Sequence, residues 1–214
     1  MNKKNNVFTI IIAIVIIIII GLLIWGGNKN KINTLSKTSA PAVDQHGHPI
    51  AANISTTSLS ELVNKPAQDF ALADKDGKIY FLNELRGKNI ILFFNEGLMC
   101  YPACWNQIVS FANDERFKKE DVVVLSVVVD SAEDWQNAIK KMPELAKATV
   151  VFDNGAVVSK KYGVLTTKSS MHYGSLPGHT YIIIDKEGIV RNIFDDSQMA
   201  IRNDKLVEEI NKLN

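Results

Sequence analysis

The sequence predicts an α/β domain with a central mixed sheet flanked by helices, an N-terminal hairpin extension and one N-terminal transmembrane helix. Three observations lead there. Val7 to Trp25 is 19 residues without a charge. Two hairpin patterns bracket the stretch from Lys65 to Phe194, and between them apolar β-branched runs alternate with helical periods, the order of a mixed-sheet α/β domain.

The N-terminal run comes first in the chain. As a helix rising about 1.5 Å per residue it matches the roughly 30 Å hydrocarbon core of a bilayer. It is longer than the apolar region of a cleavable signal peptide, and the best small-residue site, Ala40-Pro41-Ala42, lies beyond Lys29, Lys31 and Lys37. An uncleaved single-pass anchor is therefore expected. Lys3 and Lys4 nearly balance the three downstream lysines, but a short N-terminus usually stays inside. A dithiol works as a stable disulfide only outside the reducing cytoplasm. The expected arrangement is a cell-membrane protein with its C-terminal domain on the extracytoplasmic side: residues 1–26 as anchor, 27–60 as a flexible linker and 61–214 as the folded domain. The linker is rich in Asn, Ser, Thr, Ala and Lys, and its His46-Gly47-His48 reads as solvated tether rather than a metal site.

The formal net charge of +1 conceals an asymmetry, since five lysines and one acid in 1–60 leave 19 basic and 22 acidic residues for 61–214. The domain is mildly acidic and has no basic stripe, which argues against nucleic acid as a partner.

Within the domain, Lys65 to Leu72, the turn Asp74-Lys75-Asp76-Gly77-Lys78 and Ile79-Tyr80-Phe81 predict a hairpin. Leu82 to Arg86 predicts one helical turn stopped by Gly87, and Ile90 to Phe94 a buried strand. A helix is expected over about 102–118. Asp121 to Val129 is too uniformly apolar to have a wet face and predicts a central strand. A helix at 132–142, a strand at 149–152 and a helix at about 155–162 follow. Gly178 to Asp185 and Ile189 to Phe194 form a second hairpin around Lys186-Glu187-Gly188, and a helix at about 199–213 closes the chain.

The chemistry concentrates at Cys100-Tyr101-Pro102-Ala103-Cys104, which holds the only two cysteines. The motif lies where the strand 90–94 passes into a helix. Free N–H groups and the positive end of the helix dipole favour a thiolate there. Positions four apart share a helix face, and Pro102 leaves the first turn irregular enough for the sulfurs to approach bonding distance. Cys100 is the expected nucleophile, on the exposed N-terminal side of the junction, and Cys104 the resolving thiol. Tyr101 and Trp105 are expected to shape the docking surface. Glu96, next to the dithiol, is a candidate for proton transfer.

The stretches Pro66-Ala67-Gln68-Asp69-Phe70 with its hairpin, Leu82 to Gly87 with the following strand, the cysteine junction, and Thr180 to Gly188 together resemble the thioredoxin-fold redoxins. The group is that of alkyl hydroperoxide reductases, thiol-specific antioxidants and membrane-tethered thiol–disulfide oxidoreductases. The resemblance spans the whole domain and implies an enzyme that needs no cofactor or metal. Its substrates would be a protein thiol or disulfide partner, or a peroxide. It also implies that Pro177 takes the place of the cis-proline that faces the cysteines and helps dock substrate. Peroxiredoxins carry a proline and a threonine shortly before the reactive cysteine, where this chain has Glu96, Gly97, Leu98 and Met99. They also carry an arginine near the later hairpin, where His179 stands as a candidate for proton transfer or for holding thiolate charge. An alternative resemblance, to Sco-type copper chaperones, rests on the three-residue spacing between cysteines and a distant histidine, His172 or His179, that would complete a Cu(I) site. Trp105 replaces the proline that usually follows the second cysteine in that family.

Overall fold

The computed structural model describes residues 58–213. The expected anchor, residues 7–25, and nearly all of the expected linker lie outside the described residues. Among the described residues no helix is long and apolar enough to cross a membrane.

Seven strands form one sheet: β1 (Ala71–Asp74), β2 (Ile79–Phe81), β3 (Asn89–Phe94), β4 (Val122–Val128), β5 (Val150–Phe152), β6 (Thr180–Ile184) and β7 (Val190–Asp195), in the order β2-β1-β5-β4-β3-β6-β7. β4 pairs in parallel with both β3 and β5, and the remaining pairs are antiparallel. Both expected hairpins form, β1–β2 and β6–β7. The strands read as most apolar sit at the centre, because a strand covered on both faces has no place for a polar side chain. Every residue of β3 is buried, while β4 leaves only Val123 and Val124 half-buried.

Helices α1 (Ala103–Asn113), α2 (Ala132–Lys141), α3 (Val157–Lys161) and α4 (Asn203–Asn211) complete the domain. Alternation along the strands divides the core in two. On one face Ile91, Phe93, Tyr181 and Ile183 pack with Cys104, Ile108 and Phe111 of α1, Trp135 of α2 and Leu206 of α4. On the other, Ile90, Leu92, Phe94 and Ile182 pack with Val158 of α3, Tyr162 and Leu72.

Three helices are shorter than their apolar periods suggest, and each time an aspartate sets the boundary. α1 stops at Asn113 rather than near 118. Asp114 leaves the helical region at φ −96°, ψ 110°, and its carboxylate accepts the Arg116 N–H at 3.0 Å, the local competition that acidic side chains offer a helix. α3 starts only at Val157, where Asp153 accepts the N–H groups of Val158 at 2.9 Å and Ser159 at 2.7 Å. The closing helix begins at Asn203 rather than 199. Residues 196–202 instead form a loop around Asp196, which accepts from Gln198 N, Ala200 N and the Arg202 guanidinium.

Leu92 lies wholly buried on the face away from the cysteines. Truncation to alanine should cost about 2–5 kcal/mol of stability in denaturant unfolding while leaving the rate of disulfide closure within twofold of wild type. Phe93→Ala, one residue along and on the cysteine face, should depress both. Equal effects on closure from the two variants would contradict this division of the core.

Candidate active site at the strand–helix junction

After β3 the chain turns sharply. Asn95 is fully buried and accepts the Gly97 N–H at 2.9 Å through Oδ1, while its Nδ2 donates to the Phe93 carbonyl at 3.2 Å. Gly97 sits at φ +54°, and a Cβ there would stand 1.7 Å from Asp130 Oδ2, so only glycine fits both the backbone and the space. Asp130 Oδ2 in turn accepts the Leu98 N–H at 3.1 Å, and Trp105 Nε1 donates to the Gly97 carbonyl at 3.0 Å. The turn is thus held from β4 on one side and from α1 on the other.

Residues Gly97–Cys100 make a single 3-10 turn, the Tyr101–Pro102 peptide is cis, and α1 begins at Ala103. Cys100 and Cys104 are joined by a disulfide with an S–S distance of 2.01 Å and a Cα–Cα distance of 5.3 Å. The expected exposure of Cys100 is not observed: it is 2% exposed and Cys104 0%. The 3-10 turn folds Cys100 beneath the surface, where its Sγ lies 4.0 Å from Met199 Sδ, and a neutral disulfide tolerates such surroundings. Its sequence neighbours Met99 and Tyr101 take the surface instead, at 52% and 67% exposure.

Tyr101 meets Trp105 edge to face at 5.0 Å. Both line a groove of about 580 Å³ with Leu98, Asp134, Asn137, Ala138, Lys141 and Met142, so the expected docking pair borders an open cleft beside the disulfide. Pro177 does not match its expected role. The cis peptide among the described residues is Tyr101–Pro102, and Pro177 is trans and buried. It precedes Gly178, where a Cβ would lie 2.1 Å from Thr167 Oγ1, so this segment is packed inward and not open to a partner.

Glu96 is buried and spent on structure. Its Oε1 accepts from Ser170 Oγ, Met171 N and His172 N at 3.1, 2.6 and 2.9 Å, and its Oε2 pairs with His172 Nδ1 at 3.0 Å. This clamps the 170–172 loop to the junction and takes His172 away from the sulfurs. His179 is the histidine that reaches them: its Nδ1 lies 3.4 Å from Cys104 Sγ and its Nε2 2.7 Å from Tyr181 Oη. Burial lowers its pKa to about 4, so beside the disulfide it is an uncharged imidazole at neutral pH. The donor atoms of Cys100, Cys104 and His179 lie within 4.8 Å of one another, but in this state both sulfurs are spent on the disulfide.

The sequence reading missed Asp130, Tyr181 and Gln107. Two of them carried a signal. Tyr181 is two residues from His179 within the predicted strand 178–185 and so shares its face, and Gln107 is three residues from Cys104 on one helix face.

Known proteins resemble this domain in sequence and in structure. The family model described as AhpC/TSA matches residues 63–193. Chloroplastic peroxiredoxin Q from Triticum aestivum is 31% identical over 134 residues, 60% of this chain and 56% of that protein, so the chain spans little more than half the length of that relative. The mitochondrial 2-Cys peroxiredoxin of Plasmodium falciparum superposes with a TM-score of 0.59 at 26% identity, covering 71% of this chain and 93% of that one. A peroxiredoxin-like protein from Aquifex aeolicus gives a TM-score of 0.60 at 19% identity, covering 82% and 98%. These likenesses bear out the thioredoxin-like fold expected from the sequence.

Burial raises the Asp130 carboxyl from 3.8 to about 6 against the opposing pull of the Leu98 N–H. The folded state therefore holds this proton more tightly than the unfolded chain. The stabilisation is complete below about pH 4 and lost as pH rises through about 6. Asp130→Asn keeps the acceptor without the charge. It should match wild type near pH 4 and exceed it by about 1–3 kcal/mol at pH 8, read from urea unfolding across pH. Parallel pH profiles for the two proteins would refute this account of the Gly97–Asp130 contact.

Proposed function

The chain belongs to the AhpC/TSA family, and on that footing we propose that it is a membrane-anchored extracytoplasmic redoxin. In this reading the Cys100–Cys104 dithiol cycles between reduced and disulfide forms, reducing a peroxide or exchanging disulfides with a protein partner. The observation that carries it is the disulfide at the start of α1, set where the carboxyl ends of β3 and β4 meet, beside an open aromatic-lined groove.

The cycle in this reading has two steps. In the reduced protein the Cys100 thiolate attacks the oxidant. With a peroxide, the O–O bond breaks, Cys100 becomes a sulfenic acid and the distal oxygen leaves, protonated, as water or an alcohol; with a protein disulfide, one partner sulfur leaves and a mixed disulfide remains. Cys104, one short step along the chain, then attacks the Cys100 sulfur and closes the disulfide, so that two electrons pass from the dithiol to the oxidant. Tyr101 and Trp105 border the groove in which a partner's chain would lie. The anchor is supported by the uncharged run 7–25, and the outward orientation by the short N-terminus and the dithiol. Protease digestion of the domain in intact cells tests that placement, and protection would refute it.

The Sco-type copper alternative is not favoured, since the family match and the relatives are those of peroxiredoxins.

Cys104→Ser should trap a sulfenic acid or a mixed disulfide on Cys100, detected by mass, with turnover reduced at least a hundredfold. Cys100→Ser should abolish turnover. Parallel assays of peroxide consumption and insulin-disulfide reduction on the reduced chain decide between the two oxidants. Full activity in the Cys100→Ser protein would overturn the assignment of roles.

A further inference from the structure

A run of hydrogen bonds behind Cys104 fixes which nitrogen of His179 carries its proton. The Arg202 main-chain N–H, which can only donate, lies 2.7 Å from Gln107 Oε1, so that atom is the amide oxygen. The opposite end agrees. Gln107 Nε2 donates to Asn203 Oδ1 at 2.9 Å, and Asn203 Nδ2 donates to the Ser110 carbonyl at 3.2 Å and the Asp114 carboxylate at 2.9 Å. Tyr181 Oη lies 3.1 Å from Gln107 Oε1, and against that acceptor its single hydrogen must point toward Gln107. Toward His179 Nε2, 2.7 Å away, the Tyr181 oxygen can then only accept. Nε2 therefore bears the hydrogen. Because the imidazole is neutral in its buried place, Nδ1 is a bare lone pair, and it faces Cys104 Sγ at 3.4 Å.

We propose that His179 is the proton acceptor for Cys104 in the resolving step, with Tyr181 and Gln107 as positioning residues that hold it in the Nε2–H tautomer. This rests on the dithiol cycle proposed above. In the reduced protein the Cys104 S–H faces Nδ1. As Cys104 attacks, its S–H bond breaks and the proton passes to Nδ1, while the new S–S bond forms to Cys100. The bond from Cys100 to its leaving group breaks, and that group takes the proton: hydroxide leaves a sulfenic acid as water, and a partner's thiolate leaves a mixed disulfide as thiol. His179 ends neutral in its starting tautomer. A positioned base of this kind commonly supplies 10²–10⁴-fold in rate. The burial of Cys104 makes it important, since no solvent base has ready access to a fully covered thiol. Phe93 packs edge-on against the imidazole at 4.6 Å and keeps the ring from turning away.

The test has two parts on the full chain in detergent micelles. Nitrogen-15 NMR of histidine-labelled protein reads the tautomer directly: Nδ1 of His179 should resonate as a bare imine nitrogen and Nε2 as an N–H. Tyr181→Phe should shift both toward a tautomer mixture. A protonated Nδ1 in the wild-type protein would overturn the proposal. The second part follows reduced protein mixed with diamide, and separately with hydrogen peroxide, in two phases. These are the second-order modification of Cys100 and the first-order closure of the disulfide. His179→Ala should slow closure at least thirtyfold and Tyr181→Phe three- to tenfold, with the first phase within twofold of wild type. A uniform slowing of both phases would reduce His179 to a structural role, and unchanged closure would remove it from the reaction. Diamide closes any competent dithiol, so a wild-type chain that closes with diamide but consumes neither peroxide nor insulin disulfides would sink the reading of biological function without touching this one. Should His179→Ala fail to fold, Gln107→Leu, which frees the Tyr181 hydroxyl, must still shift the tautomer and slow closure.

Discussion

The site depends on the parallel pairing of β3 with β4. That pairing runs without a break from Asn89 opposite Val122 to Phe94 opposite Val127. It brings two chain exits to one edge of the sheet, the cysteine turn from β3 and Asp130 from β4. In open α/β sheets this is where chemistry gathers, because the strands' carboxyl ends and the helices' amino ends converge there. Here the convergence is tight enough to choose residues. Asp130 occupies the space a side chain at 97 would need, and it accepts the next main-chain N–H. The glycine that looked like a departure from the peroxiredoxin pattern is required by this contact.

Burial sets the terms for the reaction. A disulfide is neutral and sits easily beside Met199 in the apolar cluster that also holds Phe93 and Trp135, whereas a thiolate in the same place would lose its hydration. The junction therefore cannot rely on water to carry protons or charge. The helix start can offset part of the cost for Cys100. Cys104, already within the first turn and fully covered, needs a neighbour instead, and the one within reach is an uncharged imidazole. A neutral base accepts a proton only as the sulfur attacks, so no buried ion pair has to persist between turnovers.

Much of this was legible in the sequence, for reasons that differ by element. β3 and β4 read as central because their apolar runs leave no room for a wet face. The junction read as reactive because a strand, a short irregular stretch and a helix follow each other there. The helix boundaries at 114, 153 and 196 were misplaced because each is set by an aspartate bonding to nearby backbone. An apolar period does not record that. Glu96 read as a candidate for proton transfer because it stands next to the dithiol in sequence. Its real partners, residues 170–172, are more than seventy positions away and join it only through the fold. Pro177 was placed by resemblance, and a resemblance carries no information about whether a particular peptide bond is cis.

The two histidines show how tertiary structure assigns roles to chemically equivalent residues. Both follow the α3 region, both are buried and both lie in loops or at a strand edge near the junction. His172 faces the Glu96 side chain, so its imidazole is fixed by that hydrogen bond and serves to tie a loop. His179 faces a phenol whose hydrogen is already committed to Gln107, so its imidazole is fixed by tautomer and presents a lone pair to sulfur. The difference originates one step further out, at the Arg202 main-chain N–H. This donor is free to reach Gln107 because residues 196–202 form a loop held by Asp196 and do not join α4. Had the apolar period been obeyed and the helix begun at 199, that N–H would lie within the first helical turn, positioned by the helix and not by the loop. The late start of the last helix is thus the part of the fold that orients the base at the other end of the chain of hydrogen bonds.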